Sequence, residues 1–342
     1  MKVLVIKMSS MGDIIHTLPA LTDAAAVYPH IEFTWLVEEG FAEIPQWHPQ
    51  VKQIIPIAWR RWRKELRQAW HAGELKQFYQ RLRAERYDRV IDAQGLIKSA
   101  LVTRLARGLR CGLNWQSAWE PLASLAYQRR VSVKPAQHAI VRMRQLFSLA
   151  LDYTSPMTVP DYGIKIAQPV LDSVPLKQPY LIFIHGTAWA TKQWPVGHWA
   201  LLGNLATAAG YQVYLPWGNI TEQQRAQAIA ASNTAIQVLP KLALSDIAVL
   251  LQQAAGAVAI DTGLGHLAAA LSVPTVSIYG ATDPKEIGTV GEKQRHLQAS
   301  FPCSPCNQTR CSYRGASTVE PACYAEVKPE LVWQTLLSLL KN

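Results

Sequence analysis

Short unbroken apolar runs alternate with longer mixed stretches along the chain. The first run is Val3 to Ile6, flanked by Lys2 and Lys7. A continuous run of this length reads as a strand buried on both faces. The polar turn Ser9-Ser10-Met11-Gly12 follows, and Asp13 opens a helical pattern. Further strands are predicted at Phe33 to Val37, Val51 to Ile57 and Arg89 to Asp92, with helices over Arg61 to Glu85 and Leu96 to Leu109. Pro156, Pro160, Pro169 and Pro175 then interrupt the pattern. A second series follows, with strands at Tyr180 to His185, Gln212 to Pro216, Ile236 to Leu239, Ala257 to Asp261 and Thr275 to Tyr279. Its helices are Val196 to Ala209, Glu222 to Ala231, Leu244 to Gln253 and Gly263 to Leu271.

Such alternation predicts parallel sheets with helices on both faces. The expected class is α/β, with two Rossmann-like doubly wound domains facing a central cleft. The expected divisions are 1–155, a linker at 156–177, 178–325, and a helix at 326–342 that returns to the first half. In open α/β sheets, ligands bind beyond the carboxyl ends of the strands. That rule selects Ser9 to Asp13, Asp92 to Lys98, His185 to Trp194 and Asp261 to His266.

Length supports two cores, since 342 residues exceed one typical domain. No apolar stretch is long enough to span a bilayer, and the N-terminal run is broken too early for a signal peptide, so a cytoplasmic protein is expected. The formal charge of +10 favours anionic partners, such as nucleic acid, nucleotide sugars, phosphorylated glycolipid or an anionic membrane face.

Four constellations carry candidate chemistry. Asp13 lies in the first helical turn, where it can serve as a cap or as a base that takes a proton from a hydroxyl. Asp261-Thr262-Gly263-Leu264-Gly265-His266 joins a strand to a helix start, which suits a diphosphate. Thr187 and Lys192 lie in another strand-end loop, where the ammonium can offset charge on a leaving group. Arg60, Arg61, Arg63 and Lys64 form a basic cluster beside Trp59 and Trp62, and Trp70, Phe78 and Tyr79 continue the mixture. That cluster suits acidic sugars, a membrane surface or nucleic acid, unless it is simply a solvated helical face. Separately, Cys303, Cys306, Cys311 and Cys323 have spacing compatible with a tetrahedral metal site, inert thiols being the alternative.

The strings KVLVIKMSSMGDIIHTLPAL, VEEGFAEIP, RRWRK, IDAQGLIKSA, KQWP and DTGLGHLAAAL occur in this order. Together they resemble glycosyltransferase family 9, the ADP-heptose lipopolysaccharide heptosyltransferases of type I. The resemblance implies an inverting GT-B enzyme with no cofactor and no catalytic metal. It implies that Asp13 is the general base, with Lys192 acting on the leaving group. It implies Thr187, Lys192, Glu222, Leu242, Asp261, Thr262, Gly263 and His266 around ADP-heptose. Glu222 would meet the ribose hydroxyls and Leu242 the adenine. It implies Ser10, His16, Arg60, Arg61, Arg63, Lys64 and Lys98 on the side of a Kdo-lipid A acceptor. The implied protein is a monomer at the cytoplasmic face of the inner membrane, docked by the basic aromatic face, without a nucleic-acid partner. Ala188 stands where the family often has a second hydroxyl, and Trp119 where it often has arginine. The cysteine-bearing tail is more similar to type II relatives. Rival expectations are a different acceptor (heptosyl lipopolysaccharide or a protein), a sugar-nucleotide epimerase of the same fold, or a nucleic-acid-binding protein.

Overall fold

The computed structural model describes residues 1–166 and 176–341. They form two compact units, Met1–Lys165 and Ile166–Asn342. Each unit contains one parallel sheet. In the first, β1 (Lys2–Ile6), β2 (Glu32–Glu38), β3 (Val51–Ile57), β4 (Tyr87–Asp92), β5 (Gly108–Leu113) and β6 (Arg129–Val131) lie in the order β3-β2-β1-β4-β5-β6. In the second, β7 (Tyr180–Ile184), β8 (Gln212–Leu215), β9 (Ile236–Val238), β10 (Gly256–Ile260), β11 (Thr275–Tyr279) and β12 (Gln294–Gln298) lie in the order β12-β11-β10-β7-β8-β9. Read from the other edge, the second sheet repeats the order of the first. Both are doubly wound Rossmann-like sheets, and the pair makes the GT-B fold.

In such a sheet the chain reverses its direction of winding between the first and fourth strands, which opens a crevice at their carboxyl ends. Here the reversals fall between β1 and β4, and between β7 and β10. The loops at those ends are 7–10 and 93–96 in the first unit, and 185–195 and 261–262 in the second. All four loops chosen from the sequence therefore lie at the two reversal points.

Burial follows the apolar runs. Val3, Leu4, Val5 and Ile6 are fully buried, as are Leu181, Phe183, Val258 and Ile278 of the second sheet. Among the described residues no helix is long and apolar enough to cross a membrane.

Several boundaries differ from the expectations. The helix expected over 61–85 is three short helices, Trp59–Trp62, Leu66–His71 and Glu74–Arg83. Gly73, at φ 72°, turns the chain before the third. The helix expected over 96–109 ends at Leu105, because Gly108 and Leu109 belong to β5.

The expected linker lies partly outside the described residues, at 167–175. Its first part is packed into the first unit. The Arg144 guanidinium forks to the Asp23 carboxylate at 2.6 and 3.0 Å and also donates to the Thr158 carbonyl at 2.6 Å. The Lys165 N–H donates to the Trp47 carbonyl at 2.8 Å. Helix Pro329–Leu340 packs on the second sheet, with Val332, Trp333, Leu336 and Leu339 inside that unit's own core. Its apolar stripe finds its cover there.

Candidate active site

At the reversal point of the second unit, Asp261 directly follows β10, with its side chain 5% exposed. The Lys192 ammonium lies 2.6 Å from its Oδ2, and His266 Nε2 lies 3.7 Å from its Oδ1. The Thr282 hydroxyl donates to Oδ2 at 2.6 Å, and Thr187 donates to the Asp261 backbone carbonyl at 3.4 Å. Burial alone would raise this carboxyl, but His266 and Lys192 beside it outweigh burial and hold it well below the usual carboxylate range. The site is thus a buried anion with a cation on it, beside a helix start. Thr262 precedes helix Gly263–Ala270, whose first N–H groups point out past the helix end, where negative charge is favoured. Gly265 lets this helix sit close on β10, since a Cβ there would lie 3.0 Å from that of Ala259.

Lys192 comes from the short turn Ala190–Lys192, and its ammonium also lies 4.3 Å from the centre of the Trp189 ring. A lysine held by a carboxylate on one side and a ring on the other has a defined position. It can share its charge with a phosphate that enters beside Asp261.

Glu222 lies in the first turn of helix Ile220–Ala230, which Asn219 caps by accepting from the Glu222 N–H at 3.0 Å. Its carboxylate accepts from the Gly218 N–H at 2.7 Å and lies over Gly186, where a Cβ would come within 2.7 Å of Cδ. The carboxylate therefore stands beside the loop that follows β7. Leu242 is half-buried in the loop between β9 and helix Leu244–Gln253. Sequence reading missed Thr282 and the close fit of Gly186. Thr282 follows β11 and so obeys the same strand-end rule, but no motif marks it.

In the first unit, Ser10 caps helix Met11–Val27, and Asp13 closes the capping box. Asp13 Oδ2 accepts from the Ser10 N–H at 2.8 Å and the Ser10 hydroxyl at 2.7 Å. Its Oδ1 lies 3.7 Å from the buried Lys7 ammonium, which donates to the Ala93 carbonyl at 2.9 Å. Asp13 keeps 45% side-chain exposure. Capping and chemistry are therefore compatible: the cap fixes the carboxylate while leaving it open to a ligand. The Gln94 side-chain carbonyl accepts from the Met8 and Ser9 N–H groups, fixing the loop that carries Ser10. Behind it, Asp92 is fully buried and accepts from Gln94 and Gly95 N–H groups and from the Tyr127 hydroxyl. Burial raises its carboxyl, and these donors oppose that rise.

The expected acceptor residues are placed unevenly. Lys98 is half-buried in the first turn of helix Ile97–Leu105. His16 is buried, with its ring 5.6 Å from that of His138, so it packs within the first unit rather than presenting an open face. Arg61 is also engaged. Its guanidinium donates twice to Glu74 at 2.9 Å, and Glu74 accepts from the Trp62 indole at 2.8 Å. Arg60 lies over the Phe41 ring at 5.3 Å, while Arg63 and Lys64 are exposed.

Cys303, Cys306, Cys311 and Cys323 line one small pocket, with Phe301 and Tyr313 beside them. Among the described residues no three His, Cys, Asp or Glu side chains are grouped to hold a metal ion. Burial and the three neighbouring thiols push Cys323 up to about 11, so it is a neutral thiol at pH 7.

The family model for glycosyltransferase family 9 (heptosyltransferase) matches residues 75–317. The chain is 48% identical to lipopolysaccharide heptosyltransferase 1 of Pseudomonas aeruginosa, over 99% of this chain and 98% of the relative. It is similar in structure to the E. coli heptosyltransferase WaaC with ADP, with a TM-score of 0.86 and 43% identity, covering 99% of this chain and 100% of the other. It is also similar to WaaC with ADP-2-deoxy-2-fluoro heptose, with a TM-score of 0.79 and 47% identity, covering 88% and 94%.

Proposed function

The chain belongs to glycosyltransferase family 9, the heptosyltransferases, and from that premise we propose that it transfers heptose from ADP-heptose to the Kdo of Kdo-lipid A. The observation that carries the donor side is the buried Asp261 with Lys192, His266 and Thr282 on it, beside the start of helix Gly263–Ala270.

A Kdo hydroxyl attacks the anomeric carbon on the face opposite the ADP. The carbon–oxygen bond to the diphosphate breaks through an oxocarbenium-like transition state, with inversion. The electron pair leaves with ADP, whose diphosphate gains charge. The N–H groups at Thr262 and Gly263, the Thr187 hydroxyl and the Lys192 ammonium stabilise that gain more than they stabilise the intact donor. Glu222 accepts from the ribose hydroxyls, and Leu242 lies along the adenine.

Asp13 takes the proton of the attacking hydroxyl. Held by Ser10 and faced by Lys7, it is a carboxylate of fixed direction. It acts late, once bond formation has made the hydroxyl acidic, and such help is typically worth ~10²–10⁴ in rate. Arg60, Arg63 and Lys64 receive the acidic sugars and phosphates of the acceptor, with Lys98 beside them. Arg61 keeps this cluster anchored through Glu74. The enzyme works in the cytoplasm as a monomer, without a cofactor or catalytic metal.

The test is ADP release from ADP-heptose with and without Kdo-lipid A. Release that depends on the acceptor is expected. Equal release without acceptor, or none with it, would overturn the reading.

A further inference from the structure

Helix Ile97–Leu105 turns its largest apolar side chains outward. Its buried positions are Ser99, Ala100, Val102 and Thr103, and its exposed positions include Ile97, Leu101 and Leu105, at 43, 59 and 41%. Those three are four residues apart and form one stripe. The hydrophobic effect would place the leucines inward, but the inner face is taken by the smaller Ala100 and Val102 and by two hydroxyl residues. The Thr103 hydroxyl donates to Asp92, and Ser99 accepts from the Leu96 N–H.

Beside this helix packs the 3₁₀ turn Pro121–Ala126, joined to it through the buried Ala100 and Ala123. It too turns leucines outward, Leu122 at 56% and Leu125 at 63% exposure. Three residues apart in a 3₁₀ turn, they share a face. Trp119, at 68%, precedes the turn. Isolated exposed leucines are ordinary, but two adjoining elements that both turn their largest apolar side chains outward are not. Lys98 and Arg104 lie on helix Ile97–Leu105 and Arg107 lies just beyond it, Arg104 and Arg107 being exposed; Arg129, farther along, is already paired with Asp152.

We infer that this apolar face with its basic surround is the surface by which the chain inserts shallowly into an anionic lipid bilayer. The inference rests on the lipid-linked acceptor of the proposed function and gives its docking face. Large aliphatic and indole side chains enter the boundary between headgroups and acyl chains, while the arginines meet lipid phosphates. The position makes chemical sense. Helix Ile97–Leu105 starts where the β4 loop ends, beside Lys98 and Gln94, and Gln94 holds the Ser10 loop. A lipid-borne sugar would thus surface next to the carboxylate of Asp13. The basic aromatic face at Trp59 to Arg86 is the weaker choice. Trp62 is buried against Phe78, with ring centres 5.5 Å apart, and Arg61 is committed to Glu74.

The test uses the full chain and vesicles of phosphatidylethanolamine with phosphatidylglycerol, free of any acceptor. The wild type should sediment with them, and added salt should weaken the binding. Leu101→Glu and Leu125→Glu should each weaken it at least about tenfold, and Arg104→Gln about fivefold, as expected for about 1 kcal/mol per basic residue. These positions are exposed, so melting temperatures should hold. Transfer to a deacylated, water-soluble acceptor should also hold, while transfer to acceptor embedded in vesicles should fall. Unchanged vesicle binding in Leu101→Glu and Leu125→Glu would overturn the inference. So would loss confined to Leu66→Ser and Trp70→Ser, which would place docking on another helix. Self-association of the wild type that Leu101→Glu abolishes, without vesicle binding, would assign the face to a second copy of the chain instead. Failure of the transferase reading looks different: no transfer to either acceptor while vesicle binding persists.

Discussion

Replacing Lys192 with alanine should change both the stability and the chemistry of the second unit, with a distinctive pH dependence. In the wild type, Lys192 lies 2.6 Å from Asp261, and the two side chains are only 14% and 5% exposed. Removing one partner of a buried pair strands the other charge and costs about 3–5 kcal/mol. Thr282 and His266 still touch Asp261, so the low end, about 3 kcal/mol, is expected. The pH dependence should flatten. In the wild type the Asp261 carboxyl is held below its unfolded value, so its stabilisation is present above that value and is lost as pH falls. In Lys192→Ala only His266 still opposes burial, so the carboxyl moves up toward its unfolded value. Less stability should then be lost as pH falls through the carboxylate range than in the wild type. Lys192→Ala with Asp261→Asn should recover most of the lost stability, because no unpaired charge remains. It should not recover transfer, because the leaving diphosphate has still lost its cation, a deficit of ~10²–10³ in rate. Urea melts of the three proteins between pH 4 and 8, alongside ADP calorimetry, measure both effects. Parallel pH profiles for wild type and Lys192→Ala would refute the reasoning, as would full activity in the double variant.

Asp13→Asn should lose about 10²–10⁴ in kcat while binding ADP normally, measured by single-turnover transfer and calorimetry. Near-normal turnover would remove Asp13 as the base. Gly186→Ala should weaken ADP binding by roughly tenfold, because the new methyl displaces the Glu222 carboxylate that lies 2.7 Å from it; an unchanged ADP isotherm would separate Glu222 from the ribose. Acid should destabilise the first unit through His48, which burial lowers from 6.5 to about 4. The unfolded chain then binds more protons, so stability drops by up to about 3 kcal/mol as pH falls from about 6.5 to about 4. His48→Gln should flatten that segment of the thermal-melt profile, and an unchanged slope would assign it elsewhere.

The strands with continuous apolar runs were legible almost residue by residue. Thr275–Tyr279 agrees at both ends, because a strand buried on both faces leaves a nearly unbroken pattern; Val51–Ile57 also agrees at both ends, although Lys52 and Gln53 are exposed in it. The strands that escaped notice carry other signals. β5 reads Gly-Leu-Arg-Cys-Gly-Leu, and its Gly112 is dictated by the Tyr127 ring, 2.4 Å from where a Cβ would stand. β12 is Gln-Arg-His-Leu-Gln, a polar strand at the sheet edge. The strand-end rule found the loops of the site, since it depends on topology rather than on motif. What it did not single out were partners supplied by distant sequence. Thr282 on Asp261 and Glu74 on Arg61 are ordinary residues until the fold brings them in. Helix Ile97–Leu105 shows a different limit. Its apolar residues look like core positions, and only the buried hydrogen bonds of Ser99 and Thr103 show which side faces inward.

The most direct test is mass spectrometry of Kdo-lipid A after incubation with ADP-heptose and the purified chain. The account predicts a lipid heavier by one heptose, and no such product when Asp13→Asn replaces the wild type under matched single-turnover times. An unmodified lipid with active donor present, or equal product from both proteins, would contradict it.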